Sequence, residues 1–183
     1  MLPMHEPKVA MEVLDRAIAA GLRRVCLPAT IDGRSVVNDD TRPLYERMDE
    51  AGMTIVLHPS TRTSTWGDPD IAIEIGFGWL YHSGAAAMSL ILSGTLDVCP
   101  NLTIVHPHLG GAIPWSFSRW NVVPQGKAKR PVREYLRERF YVDSGLQTPG
   151  AIAVAASVYG AERIVMGSDY PFVAFERLIQ AQR

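Results

Sequence analysis

Leu102-Thr-Ile-Val-His106-Pro107-His108-Leu-Gly110-Gly111-Ala-Ile-Pro114-Trp115 is an apolar, β-branched run that passes into a histidine pair, a glycine pair and a helix-starting proline. That order is how an α/β protein delivers a reactive side chain from the carboxyl end of a buried parallel strand into a cleft. Other runs end in the same manner. Thr54-Ile-Val-Leu57 reaches His58-Pro59, Phe140-Tyr-Val142 reaches Asp143, and Arg163-Ile-Val-Met166 passes Gly167-Ser168 to reach Asp169.

Outward from that stretch, helix and strand signals alternate. Pro7 opens a helix whose apolar stripe is Val9, Val13, Leu14, Ala17 and Ile18, closed by Gly21, and Arg23 to Pro28 reads as a strand. A loop with Asp32-Gly33 leads through Asp39-Asp40-Thr41, whose side chains are suited to capping, and Pro43 into a helix ending at Gly52. After His58 comes a long polar loop, Pro59 to Asp70, carrying Arg62 and Trp66, of a length that suits a functional lid. A helix apolar on most faces follows. Beyond the central stretch, the reading is a helix over 113–123, an exposed basic loop, a charged helix over 131–139, the strand to Asp143, a helix from Thr148-Pro149 to Gly160, the strand to Met166 and a helix from Phe172.

Five strands, each followed by a helical segment, predict parallel βαβ units, which fit an open doubly wound sheet or a closed barrel. The polar groups favour the barrel. His58, His108, Asp143 and Asp169 end successive strands, and a barrel gathers such ends around one mouth, whereas an open sheet has one crevice at its switch point.

Composition narrows the function classes. At 183 residues, 47% hydrophobic and 20% charged, the chain can bury a core as one domain spanning 1–183. A formal net charge of -1 provides no basic footprint for nucleic acid, so a small-molecule ligand is expected. No acidic or basic residue occurs between Glu74 and Asp97, but glycines, serines and His82 interrupt that interval, so it reads as a buried or interface helix and not a membrane span. Cys26 and Cys99 have no disulfide or metal spacing, and a reducing, cytoplasmic setting is expected.

Histidines and an aspartate on converging strand ends form a ligand set for a divalent metal, zinc or manganese. His106, the last position of the apolar run, reads as supporting structure pointing away from His108, and His5 and His82 as structural or surface residues.

Leu57-His58-Pro59, Ile104-Val-His-Pro-His108-Leu-Gly-Gly-Ala-Ile-Pro114 and Gly167-Ser-Asp169-Tyr-Pro-Phe172, in that order, resemble the motifs of the amidohydrolase-related family that includes aminocarboxymuconate-semialdehyde and γ-resorcylate decarboxylases. The resemblance implies a distorted (β/α)8 TIM barrel with one divalent metal at its mouth, with His58 and Asp169 as metal ligands and His108 as the catalytic histidine beside Asp169. Trp115 and Arg119, just past the glycines, are candidates to meet an aromatic or carboxylate substrate. The implied reaction is decarboxylation or hydrolysis of a small unsaturated or aromatic carboxylate.

The family's first strand bears a His-x-His or Glu-x-His pair, and no such pair occurs here. Gly110-Gly111 stands where resorcylate-type enzymes often carry an acidic residue, which argues against a strict resorcylate assignment. Numbered by resemblance, the strands found are the fourth to the eighth. The expectation is therefore an incomplete barrel of about five parallel strands from a longer protein, with Met1 an internal methionine and impaired activity. The unpaired outer strands would favour association with another copy. The alternative is a non-catalytic α/β partner or remnant that needs another chain.

Overall fold

The computed structural model describes residues 1–31, 33–60, 71–145 and 147–172. Arg62 and Trp66 in the long loop, Asp32 in the turn and the helix expected beyond Phe172 lie outside the described residues.

Five strands, β1 (Arg24–Pro28), β2 (Thr54–His58), β3 (Thr103–His106), β4 (Phe140–Asp143) and β5 (Ile164–Val165), form one sheet in sequential order, every neighbouring pair parallel. Sequential parallel pairing is the barrel pattern and differs from the reversal of strand order in doubly wound sheets. The principal helices are α1 (Pro7–Ala19), α2 (Arg42–Glu50), α3 (Trp79–Leu92), α4 (Val132–Arg139) and α5 (Pro149–Tyr159). A two-residue ribbon pairs Thr30–Ile31 with Arg34–Ser35.

Alternation along the strands sorts the sheet into two faces. Val25 and Leu27, Ile55 and Leu57, Ile104 and His106, and Phe140 and Val142 are all buried. Each fully covered aliphatic or aromatic side chain there contributes about 1.5–3 kcal/mol. Cys26, Val56, Val105 and Tyr141 lie on the other face at matching register positions and are only half-buried. That face ends at the carboxyl rim in Pro28, His58, Asp143 and the exposed Val165, with Pro28 opposite His58 and Asp143 opposite Val165.

Several local expectations are revised. Val9 is exposed, and α1 buries Ala10 beside the expected Leu14. Thr41 does not cap α2: its hydroxyl donates to the Val36 carbonyl at 2.9 Å and accepts from the Asn38 amide at 3.0 Å. The helix expected over 113–123 is a single α-turn, Ile113–Ser116, continued by a 3-10 turn, Phe117–Asn121. The last strand shrinks to two residues. Nor is the β1 edge bare, because Leu2 and Met4 are buried and the Leu2 amide donates to the Cys26 carbonyl at 3.4 Å.

The apolar region is helical as expected, and its glycines do not break it. Ile71–Leu92 is one 22-residue helical stretch containing a π-turn at Glu74–Gly78, long and apolar enough by length and composition to cross a membrane. Its second half, α3, buries eight residues, while Ile71, Ile73, Ile75, Phe77 (76% exposed) and Tyr81 (62%) face outward. Thr148 caps α5 as expected, its hydroxyl accepting from the Ala151 amide at 3.4 Å.

Candidate active site

Polar contacts tie the carboxyl ends of neighbouring strands at three of the junctions. The Ala29 amide donates to the His58 carbonyl at 2.8 Å, and the Thr30 and Ser60 hydroxyls meet at 2.9 Å, joining the ends of β1 and β2. The Ser144 amide donates to the Val165 carbonyl at 2.9 Å, joining β4 to β5. Between β3 and β4 the tie is a side chain. Asp143 Oδ1 accepts from the His108 amide at 3.1 Å and from the Gly145 amide at 3.2 Å.

That tie holds an uncommon backbone. After His106, Pro107 begins a single turn in which His108 (φ 55°, ψ 48°) and Leu109 (φ 53°, ψ 30°) adopt the left-handed conformation, followed by Gly110 and Gly111, also at positive φ. For a residue with a Cβ this conformation costs about 1–2 kcal/mol, and a hydrogen bond to a charged acceptor, about 1.5–3 kcal/mol, is of the size needed to offset it. The glycines account for only part of the turn expected of them, because the bend begins at the histidine. Asp169, at φ 54°, is in the same unusual region at the end of β5.

The charges at the rim interact. Burial pushes the Asp143 carboxyl upward, the positive form of His108 and the two amide donors pull it down, and the negative charge of Asp169 raises it again. His108, Asp143 and Asp169 are thus within electrostatic reach of one another. His58 is exposed on the same rim, and its Nδ1 lies 2.7 Å from the Pro59 carbonyl. Because a carbonyl only accepts, Nδ1 carries the proton and Nε2 presents its lone pair, the tautomer of a metal-binding histidine.

The remaining candidates fall differently. His58 and Asp169 belong to strands three places apart, roughly 14 Å of sheet, and among the described residues no three His, Cys, Asp or Glu side chains converge as a metal cluster. Trp115 is 68% exposed, and the Arg119 guanidinium has no ion-pair partner among the described residues. His106 lies on the buried face, opposite the rim face, as its place in the apolar run implied. Neither of its ring nitrogens has a hydrogen-bond partner, and burial, helped by the charge of His108, pushes it down to about 3. Asp143 is the residue that sequence reasoning placed at a strand end without assigning it a role. Its signal was the Asp143-Ser-Gly145 ending, in which a carboxylate is followed by a glycine free to turn back toward it.

A sequential parallel sheet with helices on one face and titratable groups along its carboxyl rim places the chain among barrel-type α/β proteins with a strand-end site. The family model described as amidohydrolase matches residues 1–182, and the chain belongs to that family. It is 25% identical over 182 residues to 2-amino-3-carboxymuconate-6-semialdehyde decarboxylase of Dictyostelium discoideum, a match covering 93% of this chain and 50% of the relative. To γ-resorcylate decarboxylase of a Polaromonas species it is 28% identical over 197 residues, covering 93% of this chain and 58% of the relative. The fold matches dihydroxybenzoic acid decarboxylase from Polaromonas, solved with bound manganese and the inhibitor 2-nitroresorcinol. That match has a TM-score of 0.82 and 22% identity, over 99% of this chain and 60% of that one. The chain therefore spans between half and three fifths of the length of these proteins, and its fold is part of a TIM-barrel amidohydrolase fold.

Proposed function

We propose that the chain carries the proton-transfer part of a divalent-metal-dependent carboxy-lyase site that acts on a small aromatic or unsaturated carboxylate. The observation that supports this most is the His108 turn, in which a histidine just past a strand end has its backbone amide held by one carboxylate, Asp143, with a second, Asp169, in electrostatic reach of that carboxylate. The decarboxylases among its relatives supply the reaction class.

Loss of carbon dioxide from a carboxylate leaves the bonding electron pair on carbon, and that carbon must gain a proton: R–COO⁻ + H⁺ gives R–H + CO₂. A histidine titrates close enough to neutral pH to give that proton and recover it from solvent. Arg119 can pair with a substrate carboxylate and Trp115 can stack on an aromatic ring.

By donor type, the Nε2 of His58 is a borderline ligand and the carboxylate of Asp169 a hard one, each of a kind that manganese or zinc accepts, and each would contribute a single ligand from its own strand end. When bound, such an ion supplies positive charge that polarises a substrate oxygen or activates water. His58 holds its ligand-ready tautomer through Pro59, and His108 remains free to move the proton.

The test is carbon dioxide release from a dihydroxybenzoate with added manganese, comparing the chain with its His108→Ala variant. The variant is expected to lose at least about 100-fold in rate, and equal rates in the two proteins would refute the reading. A second reading, a non-catalytic α/β partner, draws support from the exposed apolar row Ile71, Ile73, Ile75, Phe77 and Tyr81. Absence of carbon dioxide release and of metal binding would favour it.

A further inference from the structure

We propose that Asp143 is a positioning residue that sets the backbone of His108 and of the turn leading to Asp169, so that three strand ends hold one arrangement. The proposal rests on the reading of His108 as the proton carrier. It follows from how many neighbours meet this one side chain. Oδ1 accepts from the His108 amide on one side and from the Gly145 amide on the other. On the β5 side, a Cβ added at Gly167 would lie 2.9 Å from both Cβ and Cγ of Asp143, so that turn rests directly on the aspartate. Gly145 closes the junction, because a Cβ there would stand 3.2 Å from the Gly167 carbonyl oxygen and 3.3 Å from Asp143 Oδ1.

The chemistry selects the residue type. The amide of His108 follows a proline at the start of a one-turn segment, where no preceding turn offers it a carbonyl. A short side chain on the adjacent strand, at the register position level with Pro107, can reach it. Asparagine could still accept both amides through its side-chain oxygen, whereas alanine could accept neither. The aspartate thus acts through His108 and Asp169 and need not touch substrate.

The experiment is residue-resolved amide hydrogen exchange on isotope-labelled chain, for the natural protein, Asp143→Asn and Asp143→Ala. It is combined with NMR detection of the coupling from the His108 amide nitrogen across the hydrogen bond to the Asp143 carboxyl carbon. In Asp143→Ala the His108 and Gly145 amides are expected to exchange on the order of tenfold faster or more, as the loss of a charge-assisted hydrogen bond requires. Asp143→Asn is expected to restore protection to within about threefold. The amide of Ile55, deep in the sheet, should be unchanged in both variants. Equal His108 exchange in the natural protein and the alanine variant would overturn the proposal. If the alanine variant does not fold, the coupling decides: its presence in the natural protein with retained protection in Asp143→Asn supports the proposal, and its absence refutes it. No arm depends on turnover, so a failure of decarboxylation would defeat the functional reading alone.

Discussion

His106 and His108 are separated by one proline, yet His106 closes β3 on its buried face while His108 lies in the left-handed turn beyond the strand. His106 is sealed among apolar side chains with both ring nitrogens unpartnered, so it stays neutral in the native state down to about pH 3. Its ordinary value is 6.5, so below that pH the unfolded chain gains a proton that the folded chain refuses. Its contribution is therefore present above about pH 6.5 and is lost as pH falls toward 3, by about 1.4 kcal/mol per pH unit. Replacing it with leucine is expected to flatten that slope by one proton. The same change should raise stability at neutral pH by about 1–3 kcal/mol, since an apolar group leaves no polar atom unpaired. Urea unfolding at several pH values measures both effects, and an unchanged slope would show that His106 protonates freely in the folded chain.

At the scale of elements, the turn after β3 is locked against α5 and α3 by two glycines. A Cβ on Gly110, which is at φ +79°, would run into the Tyr159 hydroxyl, and one on Gly111 would stand 2.5 Å from the Leu80 carbonyl oxygen. Gly110→Ala is expected to cost about 2 kcal/mol or more, from the left-handed backbone and the collision together. Tyr159→Phe removes a buried hydroxyl that has no partner, so it should be neutral or stabilising. In the double variant part of the Gly110→Ala cost should disappear, a coupling of about 0.5–3 kcal/mol by thermal or urea melting. Strict additivity would mean that the tyrosine ring moves aside. The glycine pair was legible in the sequence as a turn, but the tyrosine it accommodates was not, because Tyr159 lies 49 positions beyond Gly110 in the chain.

For the whole molecule, the decisive feature is a sheet with one face covered by helices and one half-open, its polar rim on the open side. With two first-choice metal donors and no converging cluster of three among the described residues, manganese or zinc should bind the chain weakly. His58→Ala should weaken that binding by a further factor of about 10 or more, read by calorimetric titration. Stoichiometric tight binding would show that the described donors are supplemented by others. The exposed apolar row Ile71, Ile73, Ile75, Phe77 and Tyr81 predicts concentration-dependent self-association by sedimentation, reduced in Phe77→Ser. A monomer at all concentrations would exclude that role for the row.

Local chemistry determined much of this by itself. Alternating apolar runs with histidine or aspartate at their ends specify parallel strands with a polar rim, and Thr148-Pro149 specifies a helix start, because those preferences act over a few residues. The strand-end positions of His58, His108, Asp143 and Asp169 were legible for the same reason. Only the tertiary structure decided that Asp143 binds the His108 amide 35 positions earlier in the chain, that Thr41 bonds Val36 instead of capping α2, and that the β1 edge is lined by Leu2. It also decided that the histidine itself enters the left-handed turn. Such choices depend on which donors and acceptors the folded chain brings within 3 Å or so, and side-chain periodicity carries no record of that.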